Sequence, residues 1–125
     1  RLKLSGEEHG STLLAANNYA VSLLKVKRFE EARSLLRKTM PVARRVLGES
    51  HETAFRTRLN YARALYEDTS ATLDDLREAV TMLEDMERIA RRVFGGAHPT
   101  TADLEVVLRD ARAALHAREP PASGE

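Results

Sequence analysis

The side chains in this sequence best suited to metal binding or proton transfer are four histidines, and three of them recur in one setting. They close Gly6-Glu7-Glu8-His9, Gly48-Glu49-Ser50-His51 and Gly95-Gly96-Ala97-His98, with His116 outside the pattern. A metal or catalytic centre needs imidazoles that converge, since zinc ligands sit about 2 Å from the ion. Equivalent places in successive packed helical units lie about 10 Å or more apart instead. The geometry therefore favours a hydrogen bond at a helix start or connector. Carboxylates gather as Asp74, Asp75 and Glu78, and again as Glu84, Asp85 and Glu87. Acidic residues in a first turn stabilise the helix dipole, which accounts for the first group without a general acid. No Ser-His-Asp arrangement, Gly-rich phosphate loop or His-Glu-x-x-His pattern occurs. Cysteine is absent, which removes disulfides, thiol catalysis and thiolate metal sites together. The expectation is a protein that is not an enzyme, with no catalytic residue, no cofactor and no metal.

Composition narrows the class further. The chain has 125 residues, the size of one small domain. Lys and Arg total 20 against 19 Asp and Glu, a net charge of +1, so the positive excess that nucleic acid or an anionic membrane surface calls for is missing. Hydrophobic residues make up 42% but aromatics only 5%, which favours helices built on Leu, Ala and Val over a β-sandwich. No apolar run approaches the roughly 18–20 residues of a membrane span, and no signal-peptide pattern is present. The opening Arg1-Leu2-Lys3 carries no initiator Met and reads as a processed or excised piece. The compartment therefore stays unknown, with cytoplasmic as the default.

The elements that position the histidines come from an internal repeat. The first two Gly-x-x-His motifs are 42 residues apart and the next two 47. Asn18-Tyr19-Ala20 returns as Asn60-Tyr61-Ala62, and Leu23 as Leu65. Arg44-Arg45-Val46-Leu47-Gly48 returns as Arg91-Arg92-Val93-Phe94-Gly95. The five extra residues fall between Leu65 and Ala79, at the polar stretch Asp68–Thr72. Each unit reads as two helices. Residues 11–26 are apolar on nearly every side, as in a helix packed on more than one face. Residues 28–47 carry one stripe of Phe29, Ala32, Leu36, Ala43 and Leu47. The second unit repeats the scheme over 53–67 and 73–94, with Leu76, Ala79, Leu83, Met86, Ala90 and Phe94 as its stripe. Thr72 and Asp75 form a capping box, Gly48 and Gly95 supply left-handed stops, and Pro99 fits a first turn. Faces this apolar are buried by stacking helix pairs into a solenoid.

These residues resemble tetratricopeptide repeats, particularly the 42-residue variety of kinesin light chains. The resemblance rests on Tyr19, Ala20, Leu23, Phe29, Ala32 and Leu36, matched by Tyr61, Ala62, Leu65, Leu76, Ala79 and Leu83. The light-chain flavour lies in Asn17-Asn18-Tyr19-Ala20, Phe29-Glu30-Glu31-Ala32 and the Leu-Gly-x-x-His connector, and the likeness covers about residues 4–117. It implies an all-α, right-handed superhelix: 1–8 as the end of a preceding repeat or connector, 9–50 as repeat one, 51–97 as repeat two with a five-residue insertion, 98–118 as a capping half repeat, and 119–125 as a flexible tail. Three departures stand out. Lys27 occupies the place of the family's inter-helix Gly, so that turn is expected without a left-handed Gly. Pro41 lies inside a helix, where it costs about 3 kcal/mol and a bend is expected. Arg109 and Arg112 replace the small and apolar residues that would face a following helix.

The resemblance also implies a concave surface lined by the first helix of each unit. Its side chains are Asn17, Asn18, Val21 and Lys25, then Arg56, Asn60, Arg63 and Tyr66, then Asp103, Val107 and Asp110. In the family an Asn at the place of Asn18 and Asn60 bonds the backbone of an extended peptide. A cap or bridge within their own repeats is the alternative. Lys25, Arg56 and Arg63 favour an acidic segment. Residues 27–47 carry a charge of +5 and residues 67–87 one of −7, so adjacent units attract one another, although ordinary solvated faces explain the pattern as well. The reading is a non-catalytic scaffold that binds protein or peptide in its groove, without nucleic acid or a membrane span. The alternative is a structural subunit or spacer packed inside a larger assembly. Self-association through the N-terminal end belongs to that second reading.

Overall fold

The computed structural model describes the backbone of residues 6–120 and side chains from Gly10 onward. Five helices follow one another: α1 (Gly6–Lys25), α2 (Phe29–Leu47), α3 (Glu52–Tyr66), α4 (Leu73–Val93) and α5 (Pro99–Arg118), with no strand among the described residues. The architecture is an all-α repeat superhelix of two helical hairpins followed by a fifth helix. The first helix begins earlier than its apolar periodicity indicates, because the backbone of Gly6–His9, expected as a connector, is helical. Glu7 and Glu8 are good helix formers. The side chain of His9, and with it the hydrogen bond expected there, lies outside the described residues, as do residues 1–5 and 121–125.

Local chemistry sets the boundaries. Lys27 takes φ +65°, so the turn after α1 keeps the left-handed geometry of the family's Gly with a lysine in it. The Arg28 N–H donates to the Leu23 carbonyl and the Lys27 N–H to the Leu24 carbonyl, the paired bonds of a Schellman stop. Gly48 and Gly95 end α2 and α4 at φ +95° and +89°. Gly48, with ψ 152°, lies in the region open essentially only to glycine rather than in the left-handed helical well. Thr72 and Asp75 make the capping box in both directions at 3.0 Å. α2 runs on through Pro41, whose missing N–H leaves the Arg37 carbonyl without its helical donor.

Packing follows the repeat. α3 is the central helix: nine of its 15 residues are buried. α2 packs against α3, and α4 against α5, while α1 touches α3 and α3 touches α5. The second helices α2 and α4 do not approach one another in backbone, so the stack curves with α1, α3 and α5 on its tighter side. Alanines at the helix crossings (Ala20, Ala32, Ala43, Ala62, Ala64, Ala79, Ala90 and Ala111) are fully buried and let the backbones close up. Leu36, Leu65, Leu76, Leu83, Met86 and Leu108 fill the space between them. The inserted loop is anchored by Arg33, which reaches Asp68 at 3.4 Å and Asp75 at 3.6 Å. One expected core residue is out of place. Tyr19 is 57% exposed, whereas Tyr61, its equivalent 42 residues on, is 4% exposed. α2 covers the α3 surface that holds Tyr61. The matching surface of α1 has no such cover among the described residues.

Candidate functional site

Two of the connector histidines, His51 and His98, are helix caps. His51 and His98 sit just before α3 and α5 in extended conformation, and each Nδ1 accepts the N–H of the residue two places on, Thr53 and Thr100, at 3.0 Å. An imidazole spent this way orients its helix and is not turned toward a shared ligand. The third connector also stacks His98 against Phe94, which meets Phe55 edge-on.

The concave positions divide into three groups. Asn17 and Asn60 are buried and joined, the Asn60 Nδ2 donating to the Asn17 Oδ1 at 2.7 Å. This bridge between α1 and α3 uses a donor that a peptide backbone would otherwise receive. Arg56 and Arg63 already have acids. Arg56 reaches Asp103 at 3.0 Å and Glu52 at 3.8 Å, while Arg63 holds Glu67 at 2.9 Å. Thr100 extends the first of these by donating to Glu52 at 2.9 Å, which ties α3 to α5. Asn18, Lys25 and Asp110 are exposed, Val21, Tyr66 and Val107 half-buried. Burial, reinforced by Glu67 and Asp110, pushes the Tyr66 phenol well above its ordinary value, so Tyr66 presents a neutral hydroxyl.

The outer face of α1 has the opposite character. Tyr19 and Val26, seven residues apart and so on one side of the helix, are 57% and 65% exposed, with Ala15 and Ser22 exposed beside them. Residues 10–24 contain no charged side chain, an uncharged run that the outward faces of α2, α4 and α5 do not have. The positions equivalent to Ala15, Tyr19 and Ser22 in α3 (Thr57, Tyr61 and Ala64) and in α5 (Leu104, Leu108 and Ala111) are all buried against the preceding second helix.

This alternation of covered and uncovered equivalent faces is that of a stacked helical repeat. The tetratricopeptide repeat family model matches residues 11–70. The matched stretch runs from Ser11 in α1 through α2 and α3 into the inserted loop, which is one hairpin and the next first helix. Tetratricopeptide repeats generally mediate protein–protein interaction. No curated protein and no solved structure matches the chain. No helix among the described residues is long and apolar enough to cross a membrane.

Sequence spacing brought out Asn60, Arg56 and Asp103 as facing the same side but left their mutual pairing open. It missed the exposure of Tyr19, for which the open question of a preceding unit was the only signal. It also missed a cluster of arginines on the second-helix side, because spacing does not show which charges find partners.

Proposed function

We propose that the chain is a non-catalytic scaffold whose working contact is the outer face of α1, and that this face pairs with the same face of a second copy. The observation that carries the reading is Tyr19: in the next unit its equivalent is buried by helix packing, and here it stands in solvent on the side of α1 that also carries Val26. α2 and α4 are already engaged by α3 and α5, so no second-type helix of another copy is free to cover it. Among the described residues nothing covers the α1 face, and it carries no charge between residues 10 and 24, so two copies meet without repulsion. Covering Tyr19 and Val26 contributes about 1 kcal/mol each.

Light scattering over a concentration series tests this. Wild-type mass should climb toward that of a dimer while Tyr19→Glu stays monomeric, and a wild-type monomer at every concentration sinks the reading.

A second reading has its own support. Exposed Asn18 and Lys25, with half-buried Val21 and Tyr66, offer contacts for an extended segment lying over the Asn17–Asn60 bridge. Arg56, Asn60 and Arg63 then act as floor and frame, and the preference for acidic segments narrows to Lys25. Within the tetratricopeptide class, the 42-residue spacing and the Leu47-Gly48-Glu49-Ser50-His51 connector support the kinesin light chain variety.

A further inference from the structure

Where α2 and α4 splay apart over α3, they leave a cavity of about 240 Å³. Three arginines line it, Arg37 and Arg44 from α2 and Arg58 from α3, together with Glu49 of the α2–α3 connector. Met40, Met82 and Ala54 supply the apolar part of the wall, and Pro41 interrupts the α2 hydrogen-bond ladder at its edge. None of the three arginines makes an ion pair among the described residues, although most other arginines there do.

Two of these guanidinium groups are held in place by aromatic rings. Arg37 donates to the Tyr61 hydroxyl at 3.2 Å and lies 5.8 Å from that ring's centre, and Arg58 lies 6.0 Å from the centre of Phe55. One hydrogen bond or one stacked face leaves most of the five N–H donors of a guanidinium available. The electrostatic cost falls on Arg58, the half-buried one of the three. Burial draws the Arg58 guanidinium below its ordinary value, with Arg44 adding to the effect and Glu49 and Asp85 opposing it. Asp85 is already engaged with Arg88. A charge drawn out of water without a partner destabilises a fold, and ligand sites are where such a cost is tolerated.

We infer that this cavity is an anion-binding site, distinct from both protein-contact faces, whose ligand is a phosphate monoester on a short apolar body. Three arginines less Glu49 leave a local charge of +2, which matches a phosphate monoester near neutral pH. Planar guanidinium forks suit its oxygens, and the two methionines suit an adaptable apolar contact. The size admits a ring or short chain and excludes a folded partner.

Titration calorimetry with phenyl phosphate, inorganic phosphate and phenol tests the inference on the intact chain. Phenyl phosphate should bind saturably and at least tenfold more tightly than inorganic phosphate, and phenol should not bind. Arg44→Gln, an exposed position whose change leaves the core intact, should weaken phenyl phosphate at least tenfold. Arg45→Gln, its exposed neighbour outside the cavity, should leave it unchanged. No saturable binding, or equal losses in the two variants, overturns the site. Equal affinity for inorganic and phenyl phosphate overturns the apolar half of the assignment. A parallel titration of Tyr19→Glu should match wild type, which separates failure of this site from failure of the α1 contact.

Discussion

His51 and His98 show how much a single acceptor atom does in a repeat. Each supplies the side-chain acceptor that Ser, Thr, Asp or Asn usually gives a helix start. His51→Ala is expected to lower unfolding free energy by about 0.5–2 kcal/mol, and His51→Asn to restore most of it, both read by urea denaturation. An equal loss in the two variants contradicts the cap. Lys27 is the converse case, a residue in a conformation that suits glycine better. A left-handed residue with a Cβ costs about 1 kcal/mol, partly offset by the entropy that a glycine loses on folding. Lys27→Gly should therefore raise thermal stability modestly, and a fall would show that the lysine side chain holds the turn. The departure at Lys27 is visible in the sequence. Whether the chain changes the turn or strains the residue is settled by the Schellman bonds to Leu23 and Leu24, which spacing does not display.

Between elements, polar contacts fix which helix meets which. Arg33 of α2 is mostly buried against Asp68 and Asp75 of the next unit, so this pair is better shielded than a surface ion pair. A double-mutant cycle on Arg33→Ala and Asp68→Ala should show coupling of about 1 kcal/mol, and additive effects would remove the contact from the account. The Asn17–Asn60 bridge is buried, so Asn60→Ala leaves the Asn17 oxygen unpaired and is expected to cost about 1–3 kcal/mol. Asn60→Ala paired with Asn17→Ala should cost less than the sum of the two. The helices themselves were legible from three- and four-residue apolar steps and from Thr72, Gly48 and Gly95. The opposite charges of residues 27–47 and 67–87 indicated attraction between units. Which arginine reached which acid depended on the inserted loop, whose path no periodicity encodes. That Arg37, Arg44 and Arg58 gather without ion pairs among the described residues is hidden from spacing for the same reason: an unpaired charge is a property of neighbours.

At the scale of the whole molecule, translation by one repeat relates surfaces that the fold treats differently. Tyr61 and Leu108 are covered, Tyr19 is not, and that contrast carries the proposed function. The repeat was plain in the sequence from Asn18-Tyr19-Ala20 and Asn60-Tyr61-Ala62, and it made the superhelix the natural architecture. The same repetition conceals the open face, since equal residues imply equal burial until α1 is seen to have no second-type helix against Tyr19 among the described residues. An unsupported outer helix opens more readily than a central one, and an associating partner closes it by mass action. Hydrogen exchange read segment by segment over a range of protein concentrations therefore tests the central claim most directly. The account predicts that residues 11–24 exchange faster than residues 54–65 in dilute solution and gain protection as concentration rises, with α4 and α5 unchanged. Protection in residues 11–24 that is independent of concentration would contradict it.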